Sequence, residues 1–338
     1  MYRQFRLRRV LFLSWTMLAI LCVMPLWLVT PEGTVLSAPE QEPHLPLDRV
    51  IQTRSARDKG RAVRLLQPDG TVTQTNMEEY LWSVVAAEMP AAFEEEALKA
   101  QACAARTYAV RLQNGGGKHE NADLCTDSKC CQAYISPADA AAKWGDSAQA
   151  YAAKITRAVS RTDGLGVLYE GTPIQALFFS SAPGKTTDAV AVWGSSVDYL
   201  KSVDSPEGEE VPNYRTTVTL SAQEVKNLLL AAYPGANLSG DPAGWFSDIH
   251  RGDSGAVSSL LVGGVTLTGN QVRGALGLRS PAFTVAFDGA NFTFQVTGYG
   301  HGVGMSQYGA NAMAKSGGTF RDILTWYYTG TEVVFLWE

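Results

Sequence analysis

A glutamate closes a run of small and apolar residues in Tyr80-Leu81-Trp82-Ser83-Val84-Val85-Ala86-Ala87-Glu88-Met89-Pro90. In such company an ionised carboxylate loses hydration, so its pKa rises toward the range in which one group can both give and take a proton. That is the chemistry of a general acid/base; a solvated residue at a helix end is the plainer reading of this segment alone. A second group is His119-x5-Cys125-x4-Cys130-Cys131, in a polar, glycine-rich stretch. Cys and His are the ligands of structural tetrahedral zinc, yet thiols outside a reducing cytosol also form disulfides. Adjacent Cys130 and Cys131 could bridge only with strain, and a bridge from Cys125 to either leaves a thiol over. The spacing is not C-x2-C, so residue chemistry leaves zinc and disulfide both open.

The third segment is Gly298-Tyr299-Gly300-His301-Gly302-Val303-Gly304-Met305-Ser306-Gln307. Glycines on both sides of a single histidine remove side chains and let a ligand come close to backbone, and a loop opening onto a helix presents free N–H groups. No Lys follows in the manner of a phosphate loop. A tight turn with a structural histidine is the alternative.

These residues need elements to hold them. Residues 63–66 and 71–75 flank Pro68-Asp69-Gly70 and predict a hairpin. Residues 77–88 predict a helix capped by Asn76 and broken at Pro90, because the residue before proline avoids the helical region. A second helix is predicted over 94–112, with acidic residues in its first turn as the helix dipole favours. Further hairpins are predicted at 166–169 with 173–179, 257–262 with 265–268, and 283–287 with 292–296. Helices are predicted at 221–232, 305–315 and 320–328, and a last strand at 333–336. Irregular interleaving with hairpins predicts an α+β fold of antiparallel hairpins packed with several helices.

The 338 residues are 46% hydrophobic and 18% charged with a net charge of −5, enough to bury a real core in one large domain or two small ones. That balance supplies no clustered basic face for phosphates, which excludes nucleic acid as a partner. Arg3, Arg6, Arg8 and Arg9 precede an almost uncharged run over 10–29. The run has the length of a membrane-crossing helix, and the arginines place residues 1–9 in the cytoplasm. The apolar region of a cleavable signal is shorter, although Leu36-Ser37-Ala38 loosely resembles a cleavage site. Residues 30–47 carry four prolines and read as a stiff linker, so an extracytoplasmic domain is expected over 48–338.

Residues 80–110, with Glu88-Met89-Pro90 and the run from Ala97 through Arg106-Thr107-Tyr108, resemble the stage II sporulation protein D (SpoIID) family. So do Val192-Trp193-Gly194, Leu276-Gly277-Leu278-Arg279-Ser280 and the run from Gly300 to Ala310, in the same order along the chain. The resemblance implies a membrane-anchored lytic transglycosylase of peptidoglycan, which cuts glycan strands free of stem peptides and leaves 1,6-anhydromuramic acid ends during engulfment in sporulation. It maps the catalytic acid/base onto Glu88. His301 and Gly302 are then expected to position sugar, with Arg106, Tyr108, Ser306 and Gln307 lining the site. Some relatives hold a zinc by Cys and His at the second segment, which here implies a structural zinc on His119, Cys125, Cys130 and Cys131. Implied partners are the glycan itself, an amidase/endopeptidase that strips stem peptides, and a multispanning membrane protein of the septum.

The family's usual Ser-x-Gly-Gly-x-Thr is replaced by Ser181-Ala182-Pro183-Gly184-Lys185-Thr186, where Pro183 removes a donor and fixes φ. Cys103 stands where a small aliphatic residue is common and reads as a buried thiol. The same architecture resembles amidase enhancers, so a non-catalytic glycan-binding module is the rival reading. A septal scaffold without a site fits the glycine loop poorly.

Overall fold

The computed structural model describes residues 56–190 and 195–337. The cytoplasmic segment, the membrane run and the linker lie outside those residues, as does Val192-Trp193-Gly194. Among the described residues no helix is long and apolar enough to cross a membrane.

The chain forms a mixed α+β structure in which several small sheets pack with helices. Helix α1 (Arg57–Gly60) leads into β1 (Ala62–Leu66) and β2 (Val72–Asn76), the hairpin read from Pro68-Asp69-Gly70. Helix α2 (Met77–Glu88) follows, its first turn capped by the Asn76 side chain, which accepts from Glu79 N–H. It ends as the backbone at Met89 turns extended, φ −116° and ψ 146°, ahead of Pro90.

Helix α3 (Glu95–Arg111) is the axis of the first core. Every residue from 97 to 110 except Lys99 is buried. Its sequence explains this: alanines at 97, 100, 102, 104, 105 and 109 favour helix and let neighbours approach from all sides. Around it pack α2, α5 (Ala148–Ser160) and β4 (Leu165–Tyr169), together with α8 and α9 from the far end of the chain, defined below, while α4 (Pro137–Trp144) packs on α5 and α2. Helices α4 and α5 are absent from the sequence reading, although Ser136-Pro137-Ala138-Asp139 is a helix-start signal. The Ser136 side chain indeed accepts from Asp139 N–H.

Between these lie β3 (Leu124–Cys125), β5 (Thr172–Pro173) and β6 (Phe178–Phe179). A second core is built from residues 215–297. Strand β7 (Arg215–Ser221) and helix α6 (Ala222–Ala232) precede β8 (Phe246–Arg251), β9 (Val257–Val262) and β10 (Val265–Leu267). Helix α7 (Gly269–Leu276), β11 (Phe283–Phe287) and β12 (Asn291–Thr297) complete it. Two three-stranded antiparallel sheets, β11-β12-β7 and β10-β9-β8, enclose Phe283, Phe292, Phe294 and Trp245. The chain then returns to the first core through β13 (Met305–Ser306), α8 (Gln307–Lys315), α9 (Phe320–Tyr327) and β14 (Glu332–Phe335).

Not all pairing is antiparallel. Strand β3 joins β1 in parallel, and β13 joins β6 in parallel. The strand expected over 173–179 is broken accordingly: Thr172 and Pro173 pair with β4, while Phe178 and Phe179 pair with Met305 and Ser306.

Candidate active site

Glu88 is half-buried at the C-terminal end of α2. Its Oε1 accepts the backbone N–H of Ala133 at 2.7 Å, and its Oε2 accepts the Gln307 amide at 3.4 Å. Burial raises its pKa above the ordinary 4.5, and these two donors partly offset that by favouring the ionised form. Gln307 opens α8, and behind it stands Gln101, fully buried on α3, whose Oε1 accepts from Gln307 Nε2 at 3.5 Å. The acid on α2 is thus held by two donors far from it in sequence, one in the loop at Ala133 and one on α8.

The carboxyl opens into a cleft of about 470 Å³. One wall is aromatic: Trp144 at the end of α4, Tyr151 on α5, and Tyr308 beside Gln307. Trp144 meets Tyr151 edge-on at 5.8 Å and Trp82 at 5.8 Å, and Tyr308 meets Phe93 edge-on at 4.9 Å. Faces of this kind accept the apolar face of a sugar ring. Met89 and Pro90, next to the acid, supply apolar lining, and Lys143 supplies the cation. Glu88 is the one carboxylate among the described lining residues.

The metal-type cluster is assembled as its residue types suggest. One ligand atom each from His119, Cys125, Cys130 and Cys131 lies within 4.8 Å of the others. His119 Nε2 is 3.6 Å from the Sγ of both Cys130 and Cys131, and those two Sγ atoms are 3.9 Å apart. A tetrahedral zinc with ordinary bond lengths separates its ligands by about 3.6 Å for N···S and about 3.8 Å for S···S, so the donor set fits. Cys103, Cys125, Cys130 and Cys131 are all free thiols. The loop that carries the cluster continues directly into the site. Gln132, next to Cys131, accepts from the buried Tyr80 hydroxyl at 2.7 Å, and the following residue is the Ala133 that donates to Glu88.

The other expected lining residues do not gather at the cleft. Arg106 is fully buried and forms a two-point ion pair with Asp58, 2.9 Å from Nε to Oδ1 and 2.6 Å from Nη2 to Oδ2. It also donates to Leu165 O at 2.7 Å. It therefore staples α1 and β4 to α3, and the expectation that it touches substrate gives way to a structural role. Tyr108, almost fully buried, accepts from Lys118 Nζ at 3.0 Å on the side of the cysteine loop, away from the cleft.

His301 and Gly302 also lie outside the cleft lining. His301 Nδ1 accepts Val303 N–H at 3.2 Å, so the ring proton sits on Nε2, which donates to Phe178 O at 3.1 Å. Burial, reinforced by nearby Arg273, pulls its pKa from 6.5 to about 4, and the ring is neutral at physiological pH. What approaches the loop is the protein itself. A Cβ at Gly302 would stand 2.8 Å from Thr187 Oγ1, and at Gly304 2.2 Å from Leu177 O, both at positive φ. Ser306 is fully buried; its hydroxyl donates to the Glu207 carboxylate and caps α8 by accepting Gly309 N–H at 3.2 Å. Of the loop residues named from sequence, Gln307 alone reaches the cleft.

The departures from the family pattern have physical accounts. Ser181, ahead of Pro183, exchanges two backbone hydrogen bonds with Tyr299 at 3.0 and 2.8 Å, so the segment packs on the glycine loop. Cys103 is fully buried, and burial pushes its thiol to about 11, as suits a small hydrophobe. Sequence reasoning missed Trp144, Tyr151, Tyr308 and Lys143, because their meeting depends on long-range packing of α4, α5 and α8. The aromatic spacing of Trp144 and Tyr151 was the available signal.

Known proteins are similar to this chain in sequence. Residues 69–169 match the family described as SpoIID, stage II sporulation protein. The chain is 42% identical over 265 residues to stage II sporulation protein D of Bacillus subtilis (strain 168), covering 78% of this chain and 76% of that one. It is 36% identical to stage II sporulation protein D of Bacillus amyloliquefaciens, over 97% of this chain and 96% of that one. An amidase enhancer of Bacillus subtilis (strain 168) is 28% identical over 74% of this chain and 40% of its own length. The family match spans Glu88-Met89-Pro90, and with relatives 42% and 36% identical over most of both chains the chain belongs to the stage II sporulation protein D family.

Proposed function

We propose that this protein is a lytic transglycosylase that cuts the glycan strands of peptidoglycan from which stem peptides have been removed, during engulfment in sporulation. The observation that carries the reading is a single half-buried carboxyl, Glu88, whose pKa burial raises, in a cleft with an aromatic wall and no second carboxylate among its described lining residues. A hydrolase of the two-carboxylate type needs a partner about 5–10 Å away. An intramolecular transfer does not. Glu88 gives its proton to the glycosidic oxygen as the bond from C1 of muramic acid breaks. The C6 hydroxyl of the same sugar then bonds to C1, and its proton returns to Glu88, so the atoms balance with no water consumed.

Gln307 and the Ala133 N–H orient the carboxyl and are the donors that accept its charge when it is ionised. Trp144, Tyr151 and Tyr308 hold the sugars. A zinc on His119, Cys125, Cys130 and Cys131 would be structural, since four protein ligands leave no open position; it would fix the loop that presents Ala133. Residues 10–29 would anchor the protein with its domain outside the cytoplasm, where a peptide-stripping amidase/endopeptidase and a multispanning membrane protein are its expected partners.

Mass spectrometry of products from peptide-free glycan tests the reading. Products ending in 1,6-anhydromuramic acid are expected; reducing muramic acid ends would make the protein a hydrolase. Binding without any cleavage would leave the amidase-enhancer reading. Metal analysis of protein purified without added zinc should give about one zinc per chain. Metal-free protein whose thiols react only after reduction would replace the zinc with a disulfide.

A further inference from the structure

Lys143 is the feature of the cleft that acid/base chemistry does not use. It lies in the last turn of α4, where the helix dipole welcomes a cation, but that alone does not explain why its side chain lines the cleft with no partner. Most other described lysines are tied down: Lys59 to Glu78, Lys99 to Glu96, Lys118 to Tyr108, Lys154 to Ala92 O and Lys185 to Asp204. Lys143 forms no ion pair or hydrogen bond among the described residues and stands beside Trp144, the aromatic face of the cleft. Glu88, the lining carboxyl, is itself held toward its neutral form by burial and pairs with Ala133 and Gln307. A cleft with an aromatic face and an adjacent uncompensated cation is complementary to a sugar that carries an anion.

Resting on the glycan reading above, we propose that Lys143 recognises the lactyl carboxylate of muramic acid and so makes the cleft selective for glycan already stripped of peptide. The two sugars of the strand differ by that substituent. Glucosamine has none. Muramic acid bearing a stem peptide has its lactyl group locked in a neutral amide, and muramic acid freed of peptide exposes a carboxylate. A cation next to the stacking face rewards the third case alone.

The test measures affinity in the full-length protein carrying Glu88→Gln, so that turnover does not intrude. Three tetrasaccharide probes are titrated by calorimetry: alternating glucosamine and muramic acid with free lactyl carboxylates, the same compound with those carboxylates converted to methylamides, and chitotetraose. The free acid should bind about five- to ten-fold more tightly than the amide, and the difference should shrink as salt is raised. Adding Lys143→Gln should erase the difference and leave chitotetraose affinity as it was; Lys143→Arg should preserve it. An acid preference that survives Lys143→Gln, or no preference in the parent, overturns the assignment while glycan binding stands. Failure of all three probes to bind removes the glycan reading, and Lys143 with it. Because Lys143 is exposed, thermal melts of the variants should match the parent, and the salt series reports on the charge independently of any substitution.

Discussion

The Glu88 cleft and the His301 loop contain comparable ingredients, a titratable side chain among small residues, and use them in opposite ways. At Glu88 burial pushes a carboxyl up, and the group faces an open cavity with room for a ligand. At His301 burial pushes an imidazole down to about 4, and both ring nitrogens are already spent on Val303 and Phe178. The glycines around the histidine clear space that the protein's own segment 177–187 fills. Glycine density therefore reports close approach without saying what approaches. With the titratable groups of both regions shifted by burial, room for a ligand beside the group is what separates a site from a tightly packed turn.

The sharpest way to break this contrast is to remove each group in turn. Glu88→Gln should lower turnover on peptide-free glycan by about 10² to 10⁴ while binding persists. The same change should raise stability at neutral pH. A carboxyl whose folded pKa is raised contributes fully below its unfolded value near 4.5 and opposes folding above its folded one. The gain in melting temperature should therefore fade as pH drops below about 4.5. Turnover that survives the change would end the assignment of Glu88.

Gly304→Ala should cost about 2–4 kcal/mol in chemical denaturation, because its Cβ meets the Leu177 carbonyl at positive φ. The protein that remains folded should cut normally; loss of turnover with an unchanged melt would return the loop to the active site. His301→Gln should cost about 1–3 kcal/mol and change the acid limb of stability. The depressed histidine contributes stability that is complete above pH 6.5 and is lost as pH falls through about 4. That portion of the acid sensitivity should vanish in the variant, and a pH–stability curve that keeps it would place the titration elsewhere.

The smallest effect is expected at Gln307→Leu. Removing a donor to the ionised carboxyl raises the Glu88 pKa further, so the basic limb of the pH–rate profile should move to higher pH. Plateau turnover should change by less than about five-fold. A limb that stays put or moves down would mean that Gln307 does not touch the acid.

Much of this was legible locally. The Asn76 cap, the Pro90 break and the alanine-rich α3 follow from neighbours in sequence. So does the suspicion that Glu88 is desolvated. The donors that hold Glu88, Ala133 and Gln307, come from 45 and 219 positions away, and no periodicity encodes such a meeting. Arg106 misled because a cation in a family motif reads as a ligand for substrate. Its partner is Asp58, buried 48 positions upstream. The two parallel pairings escaped for a related reason: two-residue strands such as β6 and β13 have no pattern of their own and exist by their register with each other.

The 219-residue interval between Glu88 and Gln307 also has a meaning in time. At about 5–20 residues per second of synthesis, roughly 10–45 s separate the appearance of the acid from that of the amide that steadies it. Through that interval the nascent chain holds its reactive group without its far wall, since Tyr308 arrives with Gln307. The far wall of the cleft is therefore the last part of it to be synthesised.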